Sequence, residues 1–336
     1  MKFVGIDLHK KVISLCVVSK DRKVLSRKTF RCDDTTGILA FFTGLGEFEA
    51  VVEATASYEW LVKLIEPVAR RVVLAHPKRL RVIAESKNKS DKIDAEVLAV
   101  FLAIDMIPQA HRPTPRQREH RRLVRYRDHL RRRLTSVRCK IRHIVSDYNL
   151  DRPNLFSAEG LEYLAGVTVS TSDRWVLEQL VAEWKQYGVA MRAADRRLKE
   201  FAQTAPVAER EAREILESVP TFGAVTVNVV VSELGDAKRF RSQKRATSFA
   251  GLAPGFRESA GKKHELHITK EGSRLLRWAM IEAAWRVVGK TRHWGLIYEK
   301  LRRRLTAKKA IVAVARRLLC VIVGLLQRGE RYRMAT

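Results

Sequence analysis

The chain has 336 residues, 46% of them hydrophobic and 30% charged, which is the composition of a globular protein long enough for more than one domain. Its 65 Lys and Arg exceed its 37 Asp and Glu, so the formal net charge is +28. A surplus this large is more than solubility requires and predicts a polyanionic partner. Because no stretch reaches the roughly 18 uncharged apolar residues of a membrane-spanning helix, a membrane is not the predicted partner.

The N-terminal residues and the cysteines indicate a protein that stays inside the cell. Residues 3–6 already follow a strand pattern, without the charged and apolar regions of a secretory signal. The cysteines lack C-x-x-C spacing, so neither a zinc ribbon nor a disulfide framework is predicted. They are Cys16, Cys32, Cys139 and Cys320. We therefore expect reduced thiols in a cytoplasm.

The first third of the chain alternates β-rich and helical patterns. The β-rich runs at residues 2–8, 11–19 and 23–31 predict a three-stranded antiparallel meander. The later elements are a helix at residues 35–42, a strand at 50–53, a helix at 57–69, a strand at 71–75 and a helix that begins at Asp91. The order β-β-β-α-β-α-β-α predicts a mixed α/β sheet.

Four carboxylates stand at the ends of these elements. Asp7 lies on the first strand, Glu53 ends the fourth, and Asp91 and Asp94 share one face of a helix. An N-cap at Ser90 and the helix dipole would explain one aspartate, and a solvated face is the ordinary role of such a pair. If strands one and four are neighbours, however, all four acids converge. Converging carboxylates predict a two-metal Mg²⁺ site for phosphoryl transfer.

The middle of the chain is strongly basic. Residues 112–142 carry thirteen Lys or Arg against two acidic residues, on a helical pattern with one apolar stripe. A solvated helix is the simple alternative, but such a density of like charge is relieved when phosphates neutralise it. We predict that Arg131, Arg132 and Arg133 contact a nucleic-acid backbone. A second helical pattern at residues 173–201 predicts either an antiparallel hairpin or a dimerising coiled coil.

The last third of the chain combines helical patterns with a glycine-bearing segment. Residues 219–223 (VPTFG) resemble the hairpin of a helix-hairpin-helix, whose backbone amides bind phosphate. Helices are predicted at residues 240–250, 273–288 and 310–326, the last as a buried amphipathic helix.

Between the first two of these helices, residues 251–263 are predicted to form a non-periodic loop. It holds Ser259 among Arg257, Lys262 and Lys263. A phosphate-binding loop is the simplest interpretation of this cluster. A nucleophilic serine is the alternative, because the cations could hold a scissile phosphate against its hydroxyl.

Three segments of the first third resemble the acidic motifs of the DEDD insertion-sequence transposases. They are residues 5–10 (GIDLHK), 52–59 (VEATASYE) and 89–95 (KSDKIDA). The resemblance implies a RuvC-like, RNase H-type domain in which Asp7, Glu53, Asp91 and Asp94 bind the metal. Residues 56–57 (AS) depart from the two glycines that the family tends to have.

The C-terminal part resembles the same transposases at residues 251–254 (GLAP), 259–262 (SAGK) and 269–272 (TKEG). In that family the matching serine is the proposed nucleophile, so the role falls on Ser259. Glu258 and Ala260 differ from the commoner small residue and glycine. The resemblance implies a DNA recombinase that mobilises an insertion sequence and is guided by a structured noncoding RNA. We expect a homo-oligomer, a dimer or tetramer, in the cytoplasm of a bacterium or archaeon, at the nucleoid.

These observations predict three domains and leave two other functions open. The domains are a RuvC-like metal domain at residues 1–108, a basic coiled-coil-like region at 109–205 and a mostly helical serine transposase domain at 206–336. A nuclease of the Holliday-junction type would use the same four acids with water as nucleophile, so Ser259 would be dispensable. A basic architectural or RNA-binding protein would need no metal and would tolerate Asp91→Ala.

Overall fold

The computed structural model describes residues 1–54, 57–83, 91–259 and 262–333. Within these ranges it describes only the backbone at residues 81–83, 91–93, 256–259 and 262–266. The predicted N-cap Ser90 lies outside these ranges. The chain forms two compact units, Met1–Arg112 and Pro113–Thr336. The further division of the second unit at residue 205 stays a prediction.

The first unit is built on a five-stranded mixed sheet. Its strands are β1 (Lys2–Leu8), β2 (Val12–Val18), β3 (Val24–Arg31), β4 (Phe48–Glu53) and β5 (Arg71–Ala75). The order is β3-β2-β1-β4-β5, with β1, β2 and β3 antiparallel and with β4 and β5 parallel to β1. This confirms the predicted meander and the mixed sheet. It also makes strands one and four neighbours, which is the condition for convergence of the acids.

The described residues of the first unit form four helices beside the sheet. They are α1 (Thr35–Gly44), α2 (Glu59–Ile65), α3 (Pro77–Ile83) and α4 (Asp91–Ala103). Helices α1 and α2 bury Ile38, Phe42 and Leu61 in one cluster with β1 and β2. Helix α2 is shorter than the predicted residues 57–69. Pro67 follows its C-cap Glu66, and a proline has no backbone N–H with which to continue the hydrogen bonds of the helix.

Helix α4 lies directly on β1 at Gly5. A Cβ atom at Gly5 would overlap the carbonyl oxygen of Ala95 and lie 2.5 Å from the backbone nitrogen of Ala99. The helix presents these two alanines to the sheet, where they are buried with Cys16 of β2. Backbone therefore packs against backbone, and no other residue type leaves enough room at position 5.

The direction of α4 follows from contacts at its two ends. Beyond its C-terminus, Asp105 accepts a hydrogen bond from Arg71 at the start of β5, 3.4 Å away. Ala95, near its N-terminus, lies over Gly5, the middle residue of β1. Helix α4 thus runs antiparallel to β1, and its first turn, which opens with Asp91, lies toward the carboxyl end of that strand.

The second unit begins with a long helical hairpin. Its helices are α5 (Pro115–Asp147), α6 (Ala158–Gly166) and α7 (Thr171–Gln203). Arg116 at the start of α5 donates to the carbonyl of Phe201 near the end of α7, whereas Ile141 near the end of α5 shares a buried cluster with Leu177. The two long helices are therefore antiparallel within one chain, which is the first of the two predicted arrangements.

The rest of the second unit is a helical domain around one core. Its helices are α8 (Val207–Glu217), α9 (Ala224–Leu234), α10 (Gln243–Phe249), α11 (Arg274–Lys290), α12 (Arg292–Arg302) and α13 (Ala307–Arg328). The predicted hairpin at residues 219–223 joins α8 to α9. In the described part of the chain, α13 is the one helix long and apolar enough to cross a membrane. It is buried in the core at Ile311, Leu318 and Ile322, as predicted.

The predicted loop at residues 251–263 is wrong in part. This region forms an antiparallel pair, β6 (Pro254–Ser259) and β7 (Lys262–Ile268). Both strands are mostly polar, so they lack the apolar alternation that identifies a half-buried strand, yet pairing satisfies their backbone groups. The helix predicted at residues 240–250 is also shorter, because a 3₁₀ turn at Ala237–Arg239 precedes α10.

A buried polar network fixes α5 to α8 and α9. His120 of α5 is 2% exposed, and its Nε2 lies 2.9 Å from Oδ1 of Asn228. Arg213 donates to the same Oδ1 at 3.0 Å and to Glu209 at 2.8 Å, and Arg116 donates to Glu209 at 2.6 Å. Burial is the main cause that lowers the pKa of His120 to about 4. The imidazole is therefore neutral in the folded protein at pH 7.

Replacing Gly5 with valine should lower the free energy of unfolding by about 2 to 3 kcal/mol, because the new side chain must displace α4 from the sheet. Urea unfolding of the full chain measures the change. Gly44→Ala is the matched control, since a Cβ atom there meets nothing within 4 Å. A Gly5→Val protein as stable as the Gly44→Ala protein would contradict the backbone contact.

Acid should destabilise the protein through His120. The unfolded imidazole binds a proton at its ordinary pKa of 6.5, whereas the folded one resists protonation until about pH 4. The stability that neutral His120 contributes is complete above pH 6.5 and falls by about 1.4 kcal/mol per pH unit as the pH drops toward 4. Urea unfolding between pH 7 and pH 4 should show a shallower decline for His120→Gln than for the unaltered chain. Equal slopes would refute this assignment.

Candidate metal centre and nucleic-acid surfaces

Asp7 and Glu53 are side by side at the carboxyl edge of the sheet. The ladder of the parallel strands β1 and β4 ends at the pair Ile6 and Val52, and the two acids are the next residues on each strand. Asp7 is only 9% exposed, and Glu53 is half-buried. The parallel register therefore brings together two acids that are far apart in the sequence.

Helix α4 brings the other two acids to the same edge. Asp91 opens the helix, and Asp94 directly precedes Ala95, which lies on Gly5. Asp94 is exposed, and the side chain of Asp91 lies outside the described residues. Among the side chains that the structure describes, no three carboxylate, His or Cys groups are close enough to hold one metal ion. The backbone thus gathers the predicted ligands at one edge, where Asp7 and Glu53 directly follow the last pair of the β1–β4 ladder.

The chemistry of this donor set fits a hard divalent cation. The predicted ligands are all carboxylates, and oxygen ligands are those that Mg²⁺ prefers. The same edge carries His9, whose Nε2 lies 3.0 Å from Oδ2 of Asp7. His9 was not among the predicted site residues. His9 follows Asp7 by two residues, just after the end of β1, and this spacing could have identified it as a neighbour of Asp7.

Arg112 joins two acidic residues of α2. It donates to Glu59 at 2.9 and 3.2 Å and to Glu66 at 2.8 Å, and these carboxylates raise the pKa of its guanidinium. It belongs to the first unit, not to the basic helix with which the sequence pattern grouped it. Glu59 lies in the second acidic segment, so Arg112 fixes the helix that follows Glu53.

The strands β6 and β7 place Ser259 at the end of a two-stranded ladder. The register pairs Ser259 with Lys262, Glu258 with Lys263 and Arg257 with His264. The side chains of these residues lie outside the described part. The backbone nevertheless sets Ser259 among the cationic positions with which the sequence grouped it.

Two glycines hold the base of this hairpin. A Cβ atom at Gly251 would overlap the carbonyl of Glu271, and one at Gly272 would overlap the carbonyl of Phe249. Both glycines have positive φ, 68° and 106°. Arg277 of α11 donates to the carbonyls of Ala250 and Gly272 at 3.2 and 3.1 Å. The motifs at residues 251–254 and 269–272 therefore pack against each other, and the hydrogen bonds of Arg277 stabilise this contact. The sequence did not reveal this role of Arg277.

The three predicted phosphate contacts on α5 differ in their surroundings. Arg131 donates twice to Asp128, at 2.8 and 3.0 Å, and its guanidinium lies over the ring of Trp278 at 4.5 Å. Arg132 donates to the same carboxylate at 3.1 Å. Arg133 is exposed and forms no ion pair with any residue the structure describes. Of the three, Arg133 has the charge most available to a phosphate.

Comparison with known proteins gives consistent matches at both ends of the chain. A family model described as "Transposase", of the DEDD type found in IS110 elements, matches residues 4–150, and the model "Transposase IS116/IS110/IS902 family" matches residues 213–299. The first range contains Asp7, Glu53, Asp91 and Asp94, and the second contains Ser259.

Several bacterial relatives match over most of their length. The chain is 26% identical to the transposase for insertion sequence element IS1111A of Coxiella burnetii, over 99% of this chain and 92% of that protein. It is 25% identical to the transposase for element IS1328 of Yersinia enterocolitica, over 84% of this chain and 82% of that protein. It is 22% identical to the pilin gene-inverting protein of Moraxella bovis, over 98% of this chain and 97% of that protein.

Proposed function

The chain belongs to the IS110 family of insertion-sequence transposases, which cut and recombine DNA, and we propose that it does so with four metal-binding carboxylates and a serine nucleophile. The observation that carries the proposal is the alignment of Asp7 and Glu53 on adjacent parallel strands, with the first turn of α4 directed to the same edge. All four acids lie within the range matched by the DEDD transposase model.

We propose that Asp7, Glu53, Asp91 and Asp94 hold Mg²⁺ in a RuvC-like, RNase H-type domain. The support is the strand order, in which a three-stranded meander is extended by two strands parallel to the first, together with the all-oxygen donor set. A divalent cation bound there would stabilise negative charge on the oxygens of a phosphodiester. His9, which contacts Asp7, would hold that carboxylate in one orientation.

Ser259 is proposed to exchange one phosphate ester for another. Its Oγ attacks the phosphorus of a DNA strand, an Oγ–P bond forms, and the bond between that phosphorus and the leaving strand oxygen breaks. The proton of the serine hydroxyl passes to solvent, and the leaving oxygen takes one up. A hydroxyl of a second DNA strand then attacks the same phosphorus and releases the serine. The cationic positions near the end of β6 would hold the phosphate: Arg257 on β6 itself, and Lys262 and Lys263 on the paired strand β7.

The proposed nucleic-acid surface of α5 is supported by its charge. The remaining partners are supported by the family resemblance. We propose that Arg133, with Arg131 and Arg132 beside it, contacts phosphates without reading sequence. A structured guide RNA and a dimeric or tetrameric assembly are implied by the resemblance alone and stay predictions. The relatives are bacterial proteins, so we expect the chain to act in a bacterial cytoplasm.

Removing one of the four acids should abolish both metal binding and recombination. Isothermal titration with Mg²⁺ should show binding to the unaltered chain and at least a tenfold weaker affinity for Asp7→Asn or Asp94→Asn. Stability should be kept, because clustered carboxylates repel one another without a cation. Asp21→Asn, at an exposed turn between β2 and β3, is the control and should bind and recombine normally. Full recombination by Asp91→Ala would refute the proposal.

A covalent adduct should depend on Ser259. A DNA substrate that loses its leaving strand after cleavage should trap the protein on the DNA, and Ser259→Ala should form no adduct. Ser248→Ala removes an exposed hydroxyl of α10 and should leave the adduct unchanged. If Ser259→Ala still cleaves DNA without an adduct, water is the nucleophile, as in a junction nuclease. If its adduct persists, Ser259 does no more than bind phosphate.

A further inference from the structure

A cationic groove in the second unit has no role in the chemistry described above. It lies between α12, α13 and the C-terminal segment, and its volume is about 1030 Å³. We call it the α12–α13 groove. Five basic side chains line it, and no acidic side chain does. They are Lys244, Arg304, Arg316, Arg317 and Arg333.

The charge of this groove is not neutralised within the protein. None of its five basic side chains forms an ion pair with a carboxylate in the described ranges. The contrast with α5 is direct, because Arg125 is paired with Glu233 at 2.7 Å and Arg127 is paired with Asp195 at 2.5 Å. A group of cations without acidic partners attracts a polyanion, and phosphates release counterions when they bind.

The wall of the groove is apolar. Trp294 is 2% exposed, and its Nε1–H donates to the hydroxyl of Tyr332 at 3.0 Å. Leu301 is buried, while Ile297 and Leu305 are half-buried and keep part of their surface open. A cationic rim over an apolar wall suits nucleotides whose bases are unpaired. A duplex keeps its bases stacked inside and could use only the rim.

We propose that the α12–α13 groove binds an unpaired DNA strand, with its phosphates on the basic rim and its bases against the apolar wall. DNA is the occupant because the enzyme cuts and recombines DNA, so its own reaction supplies separated strands. Four of the basic residues, Arg304, Arg316, Arg317 and Arg333, lie beyond residue 299, where the second family match ends. The proposal depends on the transposase activity and not on the metal ligands or Ser259.

Binding of a fluorescent oligothymidine, measured by anisotropy at several salt concentrations, tests the groove. The double variant Arg304→Ala with Arg317→Ala should bind about tenfold more weakly. Its salt slope should fall by about 1.4, since each phosphate contact on a single strand contributes about 0.7. The control is Arg302→Ala with Arg303→Ala, which removes two exposed cations that do not line the groove. It should change affinity less than twofold.

Cysteine alkylation locates the bound strand without any substitution. Cys320 lines the groove and Cys32 lies in the first unit, so peptide mass spectrometry should show that oligothymidine slows alkylation of Cys320 at least threefold and leaves Cys32 unchanged. Equal losses in the two double variants would overturn the proposal. Alkylation of Cys320 at the same rate with and without oligothymidine would also overturn it. The proposal fails as well if the groove binds duplex DNA more tightly than oligothymidine. If the groove binds oligouridine more tightly, the occupant is RNA and the proposal is wrong.

Discussion

The contact between the backbone of α4 and Gly5 is the constraint on which the first unit depends. A helix can reach a sheet this closely only where the strand has no side chain, and here it does so two residues before Asp7. The small residues Ala95 and Ala99 complete the approach from the helix side. Since α4 runs antiparallel to β1, the contact also determines where Asp91 and Asp94 lie. One glycine therefore links the packing of the domain to the position of its acidic residues.

The chain carries a net charge of +28, and the basic residues of its second unit differ in how available they are to a ligand. On α5 several arginines are paired with carboxylates of the protein itself, since Glu233 and Asp128 accept hydrogen bonds from them. These arginines stabilise the packing of α5, and a phosphate could recruit them only by breaking those pairs. Arg133 and the α12–α13 groove lack such partners in the described residues. The density of basic residues in a sequence is thus a poor guide to which of them are available to a ligand.

Local patterns predicted most elements of the first unit, and long-range contacts account for what was missed. β-rich runs predicted β1 to β5, but the proximity of Asp7 and Glu53 was predicted only on the condition that strands one and four are neighbours, which the sequence could not establish. The polar strands β6 and β7 were missed because pairing, not apolar alternation, stabilises them. The choice between a hairpin and a coiled coil could not be made from imperfect heptads. The role of Arg277 and the basic groove also escaped prediction, because each is assembled from segments far apart in the chain.

The central claim is that the four acids form one metal site at the carboxyl edge of the sheet. Fe²⁺ bound in place of Mg²⁺ tests it directly, because ascorbate and peroxide then generate hydroxyl radicals that cleave the backbone beside the ion. Cleavage should concentrate at residues 5–9, 51–54 and 91–95 and should disappear in Asp7→Asn. Cleavage confined to other segments, or an unchanged pattern in Asp7→Asn, would contradict the account.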